Sequence, residues 1–299
     1  MTSLSKCTIG GFQSRTGNAR NAGPFSLELA SGILFVTIIY FPVLIWLFQQ
    51  WGANRLYSHG YLVVPISAFL AWRRRHEFGK LSKRPTNIGL FVLVCAVLLQ
   101  LAAAFFDAKS FGAYSLIGVV AGVVLYLWGW GTFWLVAFPI GFLVFMIPMY
   151  SMVINPINFA LKLYVSVAAA WVIDLIGIPI WREGVMLHMS DADLLVADPC
   201  SGIRSLVALL ALGAVFAHLS EGRMSKRIIL FALTVPLALI SNLVRVILLC
   251  LGAEFMGVDV TVEGPFHTGT GLVVFIVAFV GLVLCERVLR WVLREDASG

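Results

Sequence analysis

Charge is scarce in this chain. Only 12% of its 299 residues are Lys, Arg, Asp or Glu, about half the share in an ordinary soluble domain. That shortage, with 60% hydrophobic residues and a mean hydropathy of +0.95, argues against a soluble globule and for an all-α polytopic membrane protein. The five cysteines (Cys7, Cys95, Cys200, Cys250 and Cys285) form no Cys-x-x-Cys pair. Their spacing gives no support for a disulfide framework or a zinc cluster, and neither a metal nor a cofactor is expected. Low-complexity tracts, a clear internal repeat and a soluble second domain are also missing. The net charge of +6 lies in short loops beside apolar segments, a pattern that sets membrane orientation. Membrane lipids are therefore expected partners and nucleic acid is not.

Apolar stretches of about 17–25 residues can span a bilayer as helices. Leu29–Phe48, Ile88–Phe106, Gly112–Trp128, Phe133–Tyr150, Ser201–Leu219, Ile228–Leu251 and Thr270–Val292 qualify, and Tyr61–Trp72 joins them if it extends into its flanks. About eight transmembrane helices follow. They form one catalytic domain over residues 29–292, between a flexible cytoplasmic tail at 1–28 and a short cytoplasmic tail at 293–299. The basic loop Arg73–Arg84, the loop with Arg223, Lys226 and Arg227, and the end with Arg287, Arg290 and Arg294 are expected on the cytoplasmic side. Ser201–Leu219 then begins outside and ends inside, Ile228–Leu251 returns outward, and Thr270–Val292 goes back in. Cys200, the Gly252–Thr268 loop and His267 all fall on the extracytoplasmic side, with Arg245 about two turns below it. Phe159–Ile178 starts and finishes on that same side. Its stripe of Asn155, Asn158, Lys162 and Ser166 predicts an amphipathic helix that lies at the interface or re-enters the membrane. Alternation around Gly184 and a turn at Asp191–Asp193 predict a small extracytoplasmic β-hairpin cap.

Cys200 opens a helix, in the run Asp198-Pro199-Cys200-Ser201-Gly202-Ile203-Arg204. A helix N-terminus favours thiolate over thiol. The unpaired N–H groups from Ser201 onward are oxyanion donors in waiting, and Gly202 leaves room for another backbone. The plain alternative is inert packing, which is how Cys95, Cys250 and Cys285 are read. Arg245 costs about 2.5–3.5 kcal/mol within a membrane helix unless it faces a polar interior, or it snorkels to the headgroups. Asn242, one turn earlier, favours the interior. His267 and His59 are rival bases for a cysteine, while His188 lies in the cap and His218 at the far end of the Cys200 helix. Arg204 either favours a Cys200 thiolate or pairs with Asp198, Asp193 or Glu183. A zinc site from Cys200, His267 and another histidine has no ligand-spacing motif behind it.

Taken together, these segments resemble the exosortase/archaeosortase family of membrane cysteine transpeptidases. The matching pieces are Cys200-Ser201-Gly202-Ile203-Arg204, Asn242-Leu243-Val244-Arg245-Val246, and His267 followed by Gly269 and Gly271. Tyr57-Ser58-His59-Gly60-Tyr61-Leu62-Val63-Val64-Pro65 with Trp72-Arg73-Arg74-Arg75 looks like the family's N-terminal signature. The likeness runs from about Leu29 to Val292. It implies a catalytic Cys200, Arg245 and His267. It also implies substrates that are exported proteins with a C-terminal sorting signal: a Pro-Glu-Pro-like (PEP-CTERM) motif, a membrane helix and a basic tail. A thioester at Cys200 and a lipid or polysaccharide acceptor are further implications, as are placement in a cell inner membrane and a link to exopolysaccharide. Asp198-Pro199 departs from the residues usual before the cysteine, and no soluble domain is expected after the last helix. The reading from another class is a transporter or polysaccharide-export component, in which Cys200 is incidental and Arg245 lines a path.

Overall fold

A computed structural model describes residues 24–292 apart from 82–83, 191, 197–201, 258–260 and 262–264; side chains at 24–33, 55, 151, 265, 267 and 268 are also outside the description. The tails at 1–23 and 293–299, and the expectations for Cys200 and Ser201, thus lie outside the described residues. The chain divides into two compact units at Phe41/Pro42. The described part of the first is the beginning of α1, and everything below concerns the second.

The described elements are mostly helical: α1 (Pro24–Ala53), α2 (Gly60–Arg73), a short α3 (Arg75–Phe78), α4 (Asn87–Phe105), α5 (Lys109–Phe142), α6 (Ser151–Leu175), α7 (Ile203–Leu219), α8 (Met224–Met256) and α9 (Pro265–Val292). Three strands, β1 (Ile180–Glu183), β2 (Met186–Met189) and β3 (Asp193–Leu195), precede α7. Six helical stretches are long and apolar enough to cross a membrane: 34–53, 87–105, 109–146, 152–175, 224–256 and 269–292; α2 and α7 are shorter apolar helices. The chain is a multi-pass membrane protein.

Two expected spans, Gly112–Trp128 and Phe133–Tyr150, appear as the single helix α5, broken at Gly129. That residue has φ +80° and ψ −172°. A Cβ there would stand 1.9 Å from the Arg84 carbonyl oxygen, so the turn admits no side chain. The two halves run in opposite directions. The first half pairs antiparallel with α4, as the close approaches of Gly89 to Tyr126, Gly122 to Leu93 and Gly112 to Gln100 require. The second half runs back beside α2: Arg74 donates to the Leu135 carbonyl, Ser67 to Pro139 and His59 to Phe145. Gly129 therefore lies at the end that carries the Arg73–Lys80 basic segment, and Phe145 lies at the opposite end.

That opposite end carries the sheet. The expected hairpin is present, with β1 antiparallel to β2. Asp193, expected in a turn, instead begins a third strand paired with β2 in the order β1-β2-β3. The reason is visible across the ladder, where His188 Nδ1 meets Asp193 Oδ1 at 2.7 Å. Leu187, Met189 and Leu194 face inward and pack on Val165, Ala169 and Ile173 of α6 and on Val246, Leu249, Cys250 and Ala253 of α8. Burial of these side chains is what seats the sheet on the bundle.

α6 begins at Ser151, four residues earlier in its polar stripe than the first stripe residue Asn155, and ends beneath the sheet. Asn155 lines a cavity with Tyr57 and Met149, and Tyr57 is tied to Met149 at the sheet end. Residues 152–175 of α6 are themselves long and apolar enough to cross a membrane. Ser166 turns its hydroxyl back to the Lys162 carbonyl, which removes one polar group from the helix surface.

The other end is clamped by ion pairs. Lys226, fully buried at the start of α8, lies 3.4 Å from Glu286 of α9 and donates to the Glu221 carbonyl. Arg290 and Ser220 also bond Glu286.

Gly129→Ala is expected to lower stability by about 2 kcal/mol or more, from left-handed strain and the collision with Arg84. Gly141→Ala, in the same helix with open space around it, is expected to be neutral or slightly stabilising. Thermal unfolding of the two variants in detergent checks the pair.

Candidate functional site

α7 starts sharply. Gly202 adopts φ +83°, a conformation that L side chains rarely take, and its carbonyl accepts from Leu206 N at 2.7 Å and Ser205 Oγ at 3.0 Å. A Cβ on Gly202 would stand 2.7 Å from both Cγ and Nδ2 of Asn242. The missing side chain thus lets α8 press its Asn242 against the first turn of α7. Asn242 is 1% exposed. This contact is the reason for the glycine two residues after Cys200.

Arg245 follows Asn242 by one turn, on the same face of α8. It is 9% exposed, so its guanidinium is inside the bundle and does not snorkel. α8 continues to Met256, beyond the expected end at Leu251, which places Arg245 about 16 Å from the helix end instead of about 9 Å. A third helix closes on it. A Cβ at Gly271 would stand 4.0 Å from Arg245 Nη2. His267 is in the first turn of α9, four residues before Gly271 and so on the same helix face. The backbone therefore presents position 267 one turn beyond the point where α9 meets the guanidinium, toward the sheet end. Phe266 fixes that start, since its ring occupies the space a Cβ on Gly252 would need, at 2.6 Å.

His59 occupies a different setting. Its Nε2 is 2.9 Å from the Phe145 carbonyl oxygen, so that nitrogen carries the proton and donates. Burial pushes the imidazole below its ordinary value of 6.5; hydrogen bonds to the Phe145 and Leu56 backbone oppose this, and the Arg204 charge adds to it. Both backbone contacts hold the ring in place. Trp51 Nε1 donates to the Met146 carbonyl at 2.8 Å, and the Tyr57 hydroxyl accepts from Met149 N at 3.2 Å. Three side chains thus pin the segment 145–149. From sequence alone, Tyr57 stands out only as part of a motif and Trp51 does not stand out, because backbone partners have no sequence signature.

Arg204 is exposed on the first turn of α7 and within electrostatic reach of His59. Of its expected carboxylate partners, Asp193 is bonded to His188 and Asp198 lies outside the described residues. His188 faces away from the packed side of the sheet. His218 is at the far, basic end, as expected, stacked on Phe138. Cys95 and Cys285 are free thiols on membrane helices, and Cys250 packs in the core under the sheet.

The fold and the site define a class: a multi-pass helical membrane protein whose polar residues, from the starts of α7 and α9 and the outer part of α8, gather at one end beneath a small sheet. The family model described as transmembrane exosortase matches residues 51–284, and the chain belongs to that family. Neither the curated proteins nor the solved structures gave a significant match.

Two measurements follow. Gly202→Ala is expected to lower the thermal midpoint by several degrees, and adding Asn242→Ala recovers the steric part but not the backbone strain, which is worth about 1–2 kcal/mol. An unchanged midpoint in Gly202→Ala would remove the close α7–α8 contact. For His59 the folded-state pKa is below the unfolded one, so the unfolded chain binds the extra proton. Its contribution is fully present above about pH 6.5 and is lost as the pH falls below that value toward the folded pKa. His59→Gln, which keeps a donor for Phe145, is expected to flatten this part of the stability–pH curve.

Proposed function

We propose that the protein is a membrane-embedded cysteine peptidase or transpeptidase that removes the C-terminal sorting signal of exported proteins and passes them to a lipid or polysaccharide acceptor. The observation that carries this reading is the meeting of three sequence-distant segments at one end of the bundle. Gly202 of the Cys200 segment touches Asn242. Arg245 of the same helix face reaches Gly271. His267 is one turn before Gly271. Family membership adds weight to it.

In this mechanism the Cys200 thiolate attacks the carbonyl carbon of the scissile peptide bond. The developing oxyanion is met by first-turn N–H groups of α7 and by the Arg245 guanidinium. His267 takes the thiol proton and returns it to the leaving amine as the C–N bond breaks. The thioester is then attacked by an acceptor hydroxyl, amine or water. Gly202 and Asn242 set the spacing between nucleophile and guanidinium. Arg204 favours the thiolate through space, and His59 acts as a positioning residue for the 145–149 segment. No metal or cofactor enters these steps. A substrate anchored in the same bilayer reaches the site with much of its translational freedom already lost.

The topology proposed with this has eight spans, counting the two halves of α5 separately and including α2 and α7, with α6 along the outer interface. Both termini and the basic end are cytoplasmic, and the site faces the periplasmic side of an inner membrane.

The test is co-expression with a tagged exported protein ending in a Pro-Glu-Pro-type signal, followed by blot and intact mass. Wild type is expected to remove the C-terminal helix, and Cys200→Ala to leave it intact. Arg245→Lys is expected to slow processing about a hundredfold or more, the usual cost of one oxyanion donor. His267→Ala is expected to cost more than His59→Gln. Processing that survives Cys200→Ala would sink the thiol mechanism and favour a transport role.

A further inference from the structure

The basic end of the bundle holds a second polar cavity, of about 260 Å³, whose lining includes Arg73, Arg74, Glu77 and His218. It is at the end opposite Arg245. Its walls come from segments far apart in sequence: the end of α2 with α3, and the end of α7. His218 is not free to turn away, because its imidazole stacks on Phe138 with ring centroids 3.8 Å apart and planes 4° from parallel. Arg73, Arg74 and Arg227 are all close enough to His218 to act on its charge. Arg74 Nη1 lies 3.5 Å from the Leu135 carbonyl oxygen, and Arg227 Nε donates to the Ser220 carbonyl at 3.1 Å. Each of these single contacts leaves further guanidinium donors for something else.

Two guanidinium groups and an imidazole thus line a space, with a third guanidinium, Arg227, near the imidazole, and Glu77 is the one carboxylate among the described lining residues. Orienting a protein in a membrane requires basic residues in the loops; it does not require two loops to converge on one cavity beside a stacked histidine. Arg75 shows the ordinary case. Its guanidinium sits 3.8 Å over the Trp72 ring, away from the cavity. Like charges gathered this way repel unless an anion joins them, and guanidinium groups match phosphate oxygens in pairs. The cavity is lined by the ends of α2 and α7, and basic pockets between membrane helices suit lipid headgroups.

We infer that this cavity is a phosphate-binding site, formed by Arg73, Arg74 and His218 with the Arg227 charge beside them, for the phosphate of an anionic lipid headgroup or of a soluble phosphate compound. Glu77 narrows the choice by repelling ligands that carry further negative charge on that side. The inference does not depend on the peptidase reading.

Full-length protein in detergent, analysed by native mass spectrometry with added phosphatidylglycerol or phosphatidylcholine, tests it. Wild type is expected to retain phosphatidylglycerol in preference. Arg74→Gln/Arg227→Gln is expected to weaken that retention roughly thirtyfold, the effect of losing two cations near a headgroup. Arg75→Gln is expected to leave it unchanged. Should the double variant fail to give a monodisperse protein, the exposed Arg73→Gln alone is expected to weaken retention severalfold. Displacement of the lipid by millimolar inorganic phosphate assigns the site to soluble phosphates, and resistance to displacement assigns it to the headgroup. Equal retention of phosphatidylglycerol by wild type and a folded Arg74→Gln/Arg227→Gln or Arg73→Gln variant would overturn the inference, as would wild type showing no preference for phosphatidylglycerol and no uptake of inorganic phosphate.

Discussion

A guanidinium inside a helical bundle constrains everything around it. Lipid cannot solvate Arg245, so protein must, and removing such a charge from water is repaid only by well-placed polar neighbours. α8 supplies Asn242 one turn away, α7 comes close enough to touch that amide only because position 202 has no side chain, and α9 brings Gly271 to the guanidinium. The three helices meet where their small residues coincide with the polar ones. The sheet then seals the outer flank of α8, with Leu187 and Leu194 over Val246 and Leu249.

The two ends of the bundle use opposite strategies. At the basic end a buried cation, Lys226, has a carboxylate, Glu286, which also takes Arg290 and Ser220. That arrangement ties α8 to α9. At the sheet end, tying is left to hydrogen bonds from Trp51, Tyr57 and His59 to and from one backbone segment. Arg245 is therefore set toward an end held by neutral contacts, while the charged clamp is kept at the other end of α8.

Much of the architecture was legible in the sequence. Apolar runs marked the helices because lipid tolerates little else, and the Arg245–Asn242 spacing exposed a polar face because charge in a membrane is costly. The break between the halves of α5 was expected near residue 130, but its tightness was not, since the collision that demands Gly129 comes from Arg84, forty-five positions earlier. The hairpin at Gly184 was readable from alternation. β3 was not, because Asp193 looks like a turn residue until His188 is placed opposite it. Within the site, the meeting of the Cys200, Arg245 and His267 segments followed from counting spans and locating basic loops. The anchoring of His59 did not, because its partners are the carbonyls of Phe145 and Leu56, and every residue type offers a carbonyl.

The ring of Phe266 lies where a side chain on Gly252 would be, and Thr261 packs on the same glycine. Thr261 also bonds the Gly257 carbonyl. The excursion between α8 and α9 is therefore stapled at its base by a single aromatic plug. Any side chain at position 252 would displace that ring, and with it the first turn of α9. The approach of α9 to Arg245 thus depends on a glycine near the end of α8 that touches neither Arg245 nor Gly271.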